Sequence, residues 1–164
     1  MTSNPVTKDF LHFEDLYLGQ QVDLGNTKVT KAMIKEFALE FDPLPFHIDE
    51  KAAKASLLGG IAASGYQTGA IAIKMALKNF PGTLASSGGM SITDLKWKRP
   101  VMANDVIGGT VTITLLKRAK SKPQWGIVNL DFDIKNQKNQ TVMIMTLNNL
   151  IDVRNPEIGL EGIT

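Results

Sequence analysis

A chain of 164 residues with 43% hydrophobic and 21% charged residues fits one ordinary globular domain with a substantial core. Its net charge of +2 and scattered basic residues argue against a nucleic-acid footprint. The absence of cysteine excludes disulfides, thiolate metal sites and a cysteine nucleophile. Two histidines, far apart, leave little from which to build a metal centre, and no cofactor is expected.

The opening stretch, "MTSNPVTKDF", has no apolar run of the kind a secretory signal needs, and residues 57 to 77 are interrupted by Ser64, Gln67, Lys74 and glycines. A soluble cytoplasmic protein with no membrane span is the expectation. "FEDLYLGQQVDLGNTKVT" opens the ordered part with short strand-like pieces and a turn at Gly25-Asn26. "TKAMIKEFALEF" reads as a helix capped by Thr30, with Met33, Ile34, Phe37, Ala38 and Phe41 at helical spacing. It must end near Asp42, because Pro43 disfavours helical geometry in the residue before it. Pro45 repeats the restriction, so residues 42 to 47 are expected to form a stiff, irregular loop.

Asp49 reads as the cap of a short helix, "EKAAKAS". After Gly59-Gly60, "IAASGYQTGAIAIKMALKNF" is apolar almost all round, as in a helix surrounded by protein on most sides. From residue 87 the pattern changes to strands. In "WGIVNLDFDIKNQ", Val128, Leu130, Phe132 and Ile134 fall on one face. "MSITDLKWKRPV", "VIGGTVTITLLKR" and "TVMIMTLNNLIDV" are further strands, with Trp97 and Trp125 read as sheet residues and the methionines as core filler. Strands following a cluster of helices indicate an α+β domain whose antiparallel sheet wraps one buried helix, a hotdog-type arrangement. It forms a single domain with its core over about residues 13–153.

The densest chemistry lies in "FDPLPFHIDE". Histidine exchanges protons near neutral pH, and a carboxylate can orient a water or fix its tautomer, so Asp42 and His47 can form an acid/base pair. His47 precedes the helix expected at Glu50, whose dipole favours a neutral imidazole. The plainer alternative is that Asp42 ends a helix and His47 is a packed histidine. Ser64 and Gly65 lie at the start of the apolar helix, where free backbone N–H groups can receive a developing oxyanion. Spacing does not say whether that helix start faces His47.

The run "FALEFDPLPFHIDEKAAKASLLGGIAASGYQTG" resembles the signature of the MaoC-like dehydratase family, which includes the (R)-specific enoyl-CoA hydratases. "FEDLYLGQQ" and "LKWKRPVMANDVI" are similar to flanking elements of the same family. The resemblance implies a hotdog fold, a homodimer or larger homo-oligomer joined sheet to sheet, and reversible hydration of a trans-2-enoyl thioester of coenzyme A or acyl-carrier protein. Asp42 and His47 then correspond to the catalytic acid and histidine. Gly65 corresponds to the glycine whose N–H holds the thioester carbonyl, and Ser64, Pro45 and Phe46 are expected to contact substrate.

Coenzyme A also needs cations at the site mouth, among Lys96, Lys98, Arg99, Lys117 and Arg118. The sequence departs from the pattern at Phe41 and Leu44, where Gly and Asn are usual, at Ser64, often His, and at Asn104, usually Gly. Two other readings are a hotdog thioesterase and a non-catalytic acyl-CoA-binding module.

Overall fold

The computed structural model describes residues 9–157. Five strands form one antiparallel sheet: β2 (Gln21–Lys28), β4 (Ser86–Trp97), β5 (Val106–Arg118), β6 (Trp125–Asn136) and β7 (Thr141–Asp152). Their order is β2-β5-β6-β7-β4, which leaves β2 and β4 as edges. Two residues each of β1 (Phe10–Leu11) and β3 (Thr83–Leu84) add a short parallel pair. The helices are α1 (Lys31–Phe41), α2 (Pro45–Ile48), α3 (Glu50–Ala55) and α4 (Gly65–Asn79). Among the described residues, no helix is long and apolar enough to cross a membrane.

Alternation decides which face of the sheet is wet. In β6, Val128, Leu130, Phe132 and Ile134 are buried and their neighbours are partly exposed. These side chains join Val111 and Ile113 of β5 and Met143 and Met145 of β7 in one core. Ile71, Ala72, Met75 and Ala76 of α4 complete it, and the alanines allow the helix to approach the sheet closely. The fold is the expected α+β arrangement of a sheet around a central helix.

Three local expectations change. Gly25-Asn26 is not a turn: both residues lie within β2, at a register shift between Asp23 and Asn26. Gly25 takes φ +64°, so the extra length is absorbed as a bulge and the strand continues. Residues 45–48 are helical rather than loop-like, because Pro45 stands at the first helical position, where its missing N–H costs nothing and its fixed φ suits the helix. Finally, α4 is not enclosed in one chain. Tyr66, Ala70 and Leu77 are exposed and Ile73 is partly so, forming a stripe along the helix. Edge strand β4 is likewise exposed along nearly its whole length, including Met90 and Ile92.

Candidate active site

Three caps fix the helix starts that build the site. Thr30 Oγ1 accepts from Met33 N at 3.2 Å, Asp49 Oδ1 from Ala52 N at 2.7 Å, and Ser64 Oγ from Tyr66 N at 3.2 Å. Lys31 Nζ, at 3.0 Å, and Lys35 Nζ, at 3.7 Å, reach Glu50 Oε1, tying α1 to α3 across α2. The Lys31 hydrogen bond, with the charges of both lysines, holds the Glu50 carboxyl below its ordinary range.

Asp42 is the residue on which α1 ends, its N–H donating to Ala38 O. Five residues later His47 sits in the last turn of α2, 5% exposed, with its Nε2 at 3.4 Å from Asp42 Oδ2. The other ring nitrogen, Nδ1, lies 2.6 Å from Ala62 O. A carbonyl oxygen can only accept, so Nδ1 carries a proton and Nε2 is the ring nitrogen that faces Asp42, an acceptor whenever the ring is neutral. Both facing groups are then acceptors, and a water donating one hydrogen to each would satisfy them. The tautomer is set by this carbonyl contact.

The strand-like segment 61–63 that supplies Ala62 O is itself held from the opposite side. Ala63 N donates to Val101 O at 2.8 Å and Ala103 N to Ile61 O at 2.9 Å, around an isolated bridge between Ala62 and Met102. Asn104, which stands where the family has glycine, takes φ +73°, a left-handed conformation that asparagine tolerates better than other side chains. It thereby preserves the turn that carries this seam.

A cleft of about 360 Å³ opens at the junction, lined by residues that include Asp42, Leu58, Ala62, Gly65, Trp97 and Val101. The amide of Gly65 is the first N–H of α4 and has no carbonyl one turn behind it to accept it. Asp42 and Gly65 therefore share one cavity. His47 is buried and is not among the residues lining the cleft; its Nε2 approaches the cleft residue Asp42 at 3.4 Å. Ser64 belongs to the cleft wall, but it is fully buried and its hydroxyl is committed to the helix cap.

Pro45 and Phe46, expected to contact substrate, are not among the residues lining the cleft. Pro45 starts α2, and the ring of Phe46 packs edge-on against the His47 imidazole at 4.5 Å.

Trp97 and Tyr66 are the residues that sequence reasoning missed. Their rings meet edge to face at 5.4 Å beside Gly65, and both line the cleft. A Cβ on residue 65 would lie 2.3 Å from Trp97 Cε2, so the indole occupies the space a side chain would need. The available signal was a glycine at a helix start, which invites a bulky neighbour from elsewhere in the chain.

The family profile described as MaoC like domain matches residues 15–131. The chain is 30% identical over 142 residues to the uncharacterized protein YdeM of Bacillus subtilis (strain 168), covering 86% of this chain and 99% of that one. Among solved structures, the MaoC-like dehydratase from Rhodospirillum rubrum is 35% identical with a TM-score of 0.76, covering 88% of this chain and 98% of that chain. The (R)-hydratase from A. caviae involved in PHA biosynthesis is 22% identical with a TM-score of 0.64, covering 85% and 98%, a likeness of fold. The profile match over residues 15–131, together with the 35% identity to the Rhodospirillum rubrum protein in the same fold, identifies this chain as a member of the MaoC-like dehydratase family.

Proposed function

We propose that this protein is a hydratase/dehydratase that adds water reversibly to a trans-2-enoyl thioester, with Asp42 and His47 as its acid/base pair and Gly65 as its oxyanion donor. One observation carries the reading: the Nδ1 contact with Ala62 O leaves the His47 Nε2 lone pair facing Asp42, at the wall of the cleft that the Gly65 amide also lines. A water held beside Nε2 and the carboxylate, on the cleft side of the pair, loses a proton to His47 as its oxygen bonds to C3 of the enoyl group. The C2–C3 π pair moves toward C1, and the thioester oxygen gains negative charge that the Gly65 N–H stabilises. C2 then takes a proton from the same acid/base pair, which returns to its starting state. A preorganised donor of this kind is worth about 3 kcal/mol in the transition state.

The working unit in this reading is a pair of chains. The exposed edge of β4, with Met90 and Ile92, and the open stripe of α4 are the surfaces this reading gives to a second copy.

The test is incubation with crotonyl-CoA. Hydration bleaches the enoyl absorbance without releasing thiol, whereas a thioesterase releases thiol. Asp42→Asn and His47→Ala should each lower turnover by about two to four orders of magnitude. Tight binding with no turnover, unchanged in Asp42→Asn, would instead favour a binding module.

A further inference from the structure

Three cations crowd residues 96–99, and the structure separates them. Lys96 is paired with Asp94 at 3.2 Å and lines a different depression, together with Asp131. Lys98 and Arg99 line the same cleft as Asp42 and Gly65, and both are exposed. Among the described residues, neither lies within salt-bridge distance of a carboxylate. Arg118, another cation available from the sequence, is buried and donates to Pro123 O.

The two cleft cations are also held in place. The backbone amides of Lys98 and Arg99 both donate to Val142 O, at 2.8 and 3.2 Å, and Arg99 Nη1 donates to Thr141 O at 2.9 Å. That leaves the remaining guanidinium N–H groups and the Lys98 ammonium available to an anion. Pro100 and Val101 follow directly, and Val101 is bonded to the segment that leads into Gly65. The backbone that carries both cations is thus tied to the segment leading into the oxyanion donor.

We propose that Lys98 and Arg99 bind a phosphate group of the thioester's carrier portion, where it leaves the cleft. This rests on the hydratase reading for the identity of the acyl group. Their exposure puts both charges at the mouth. Beside Asp42, Ser64 and Tyr66, the wall is made by apolar groups such as Leu58, Ala62, Ala63 and Val101, which suit an uncharged acyl chain better than one ending in a carboxylate. The phosphate is either that of phosphopantetheine or one belonging to a nucleotide, and substrates carrying different parts of the carrier tell these apart.

The experiment compares kcat/KM for three crotonyl thioesters, those of coenzyme A, phosphopantetheine and N-acetylcysteamine, in wild type, Lys98→Gln, Arg99→Gln, the double variant and Lys96→Gln. Each loss of a charge-assisted contact at the mouth should lower the coenzyme A to N-acetylcysteamine ratio by about tenfold, with Lys96→Gln leaving the ratio as in wild type. The phosphopantetheine ester follows coenzyme A if the pantetheine phosphate is bound, and follows N-acetylcysteamine if a nucleotide phosphate is.

A ratio unchanged in the double variant overturns the assignment. So does a loss confined to enoyl esters carrying a distal carboxylate, which would make the cations acyl-binding. If wild type hydrates none of the three, the hydratase reading falls, and calorimetric binding of butyryl-CoA against butyryl-N-acetylcysteamine then decides the phosphate site. Weakening of the first by about tenfold in each variant sustains the site, and equal affinities across the variants overturn it.

Discussion

Gly65→Ala adds one methyl group at the start of α4, and the structure says where it goes. The new carbon would stand 2.3 Å from Trp97 Cε2, 2.5 Å from Nε1 and 2.8 Å from Cδ2. Carbon atoms rest at about 3.5–4.0 Å, so the indole or the helix start must move by more than about 1 Å. The indole is 48% exposed and can swing outward, which limits the thermodynamic cost. Overpacking costs about 1–3 kcal/mol, and alanine returns up to about 1 kcal/mol of helix propensity, so net destabilisation should be about 2 kcal/mol or less.

Catalysis is less forgiving, since misplacing a positioned group by about 1 Å costs about a hundredfold. The expected result is a variant that stays folded, loses about two orders of magnitude in kcat/KM on crotonyl-CoA and shifts its tryptophan emission. In a Trp97→Ala background the same change should cost little, because the collision partner is gone. Full activity in Gly65→Ala with unaltered emission would refute the reasoning. So would an equally large loss in both backgrounds.

Three further outcomes follow from other parts of the molecule. The Asp15 carboxyl is held below its ordinary range by its hydrogen bond from Arg154, with help from the His12 amide. A lowered folded-state value stabilises the fold above the unfolded value of about 3.9 and is lost as pH falls through the folded one. The gap in urea midpoint between wild type and Arg154→Ala should therefore narrow between about pH 5 and pH 3, and a gap constant with pH would mean that the Asp15–Arg154 pair does not stabilise the fold. Leu44 occupies the cap position of α2 without a capping side chain, so Leu44→Asn should raise stability by about 1 kcal/mol in urea unfolding. Ile92→Lys on the exposed edge strand should convert a dimer, measured by light scattering, into monomers.

The parts of the fold set by neighbouring residues were legible. The Thr30 and Asp49 caps and the alternation in β6 act over a few positions, and each stands where the pattern put it. The short helix around His47 was hidden because proline signals a break and a helix start with the same letter. What lay beyond reach was pairing at a distance. His47 is oriented by a backbone carbonyl fifteen residues away, which leaves no side-chain signature, and Trp97 reaches Gly65 at the start of α4 from the far end of β4. The open stripe on α4 was misjudged for a related reason. An apolar helix surface reads the same whether its cover comes from its own sheet or from a second molecule.

The seam between residues 61–63 and 101–103 ties the start of α4, the proposed reacting end of the cleft, to the segment that carries the proposed phosphate-binding cations, as one bracket. A substitution in the turn at Asn104 would tilt both ends together instead of loosening either. Drift in that turn therefore re-aims the whole bracket, and a change in the preferred thioester would carry a matching change in turnover.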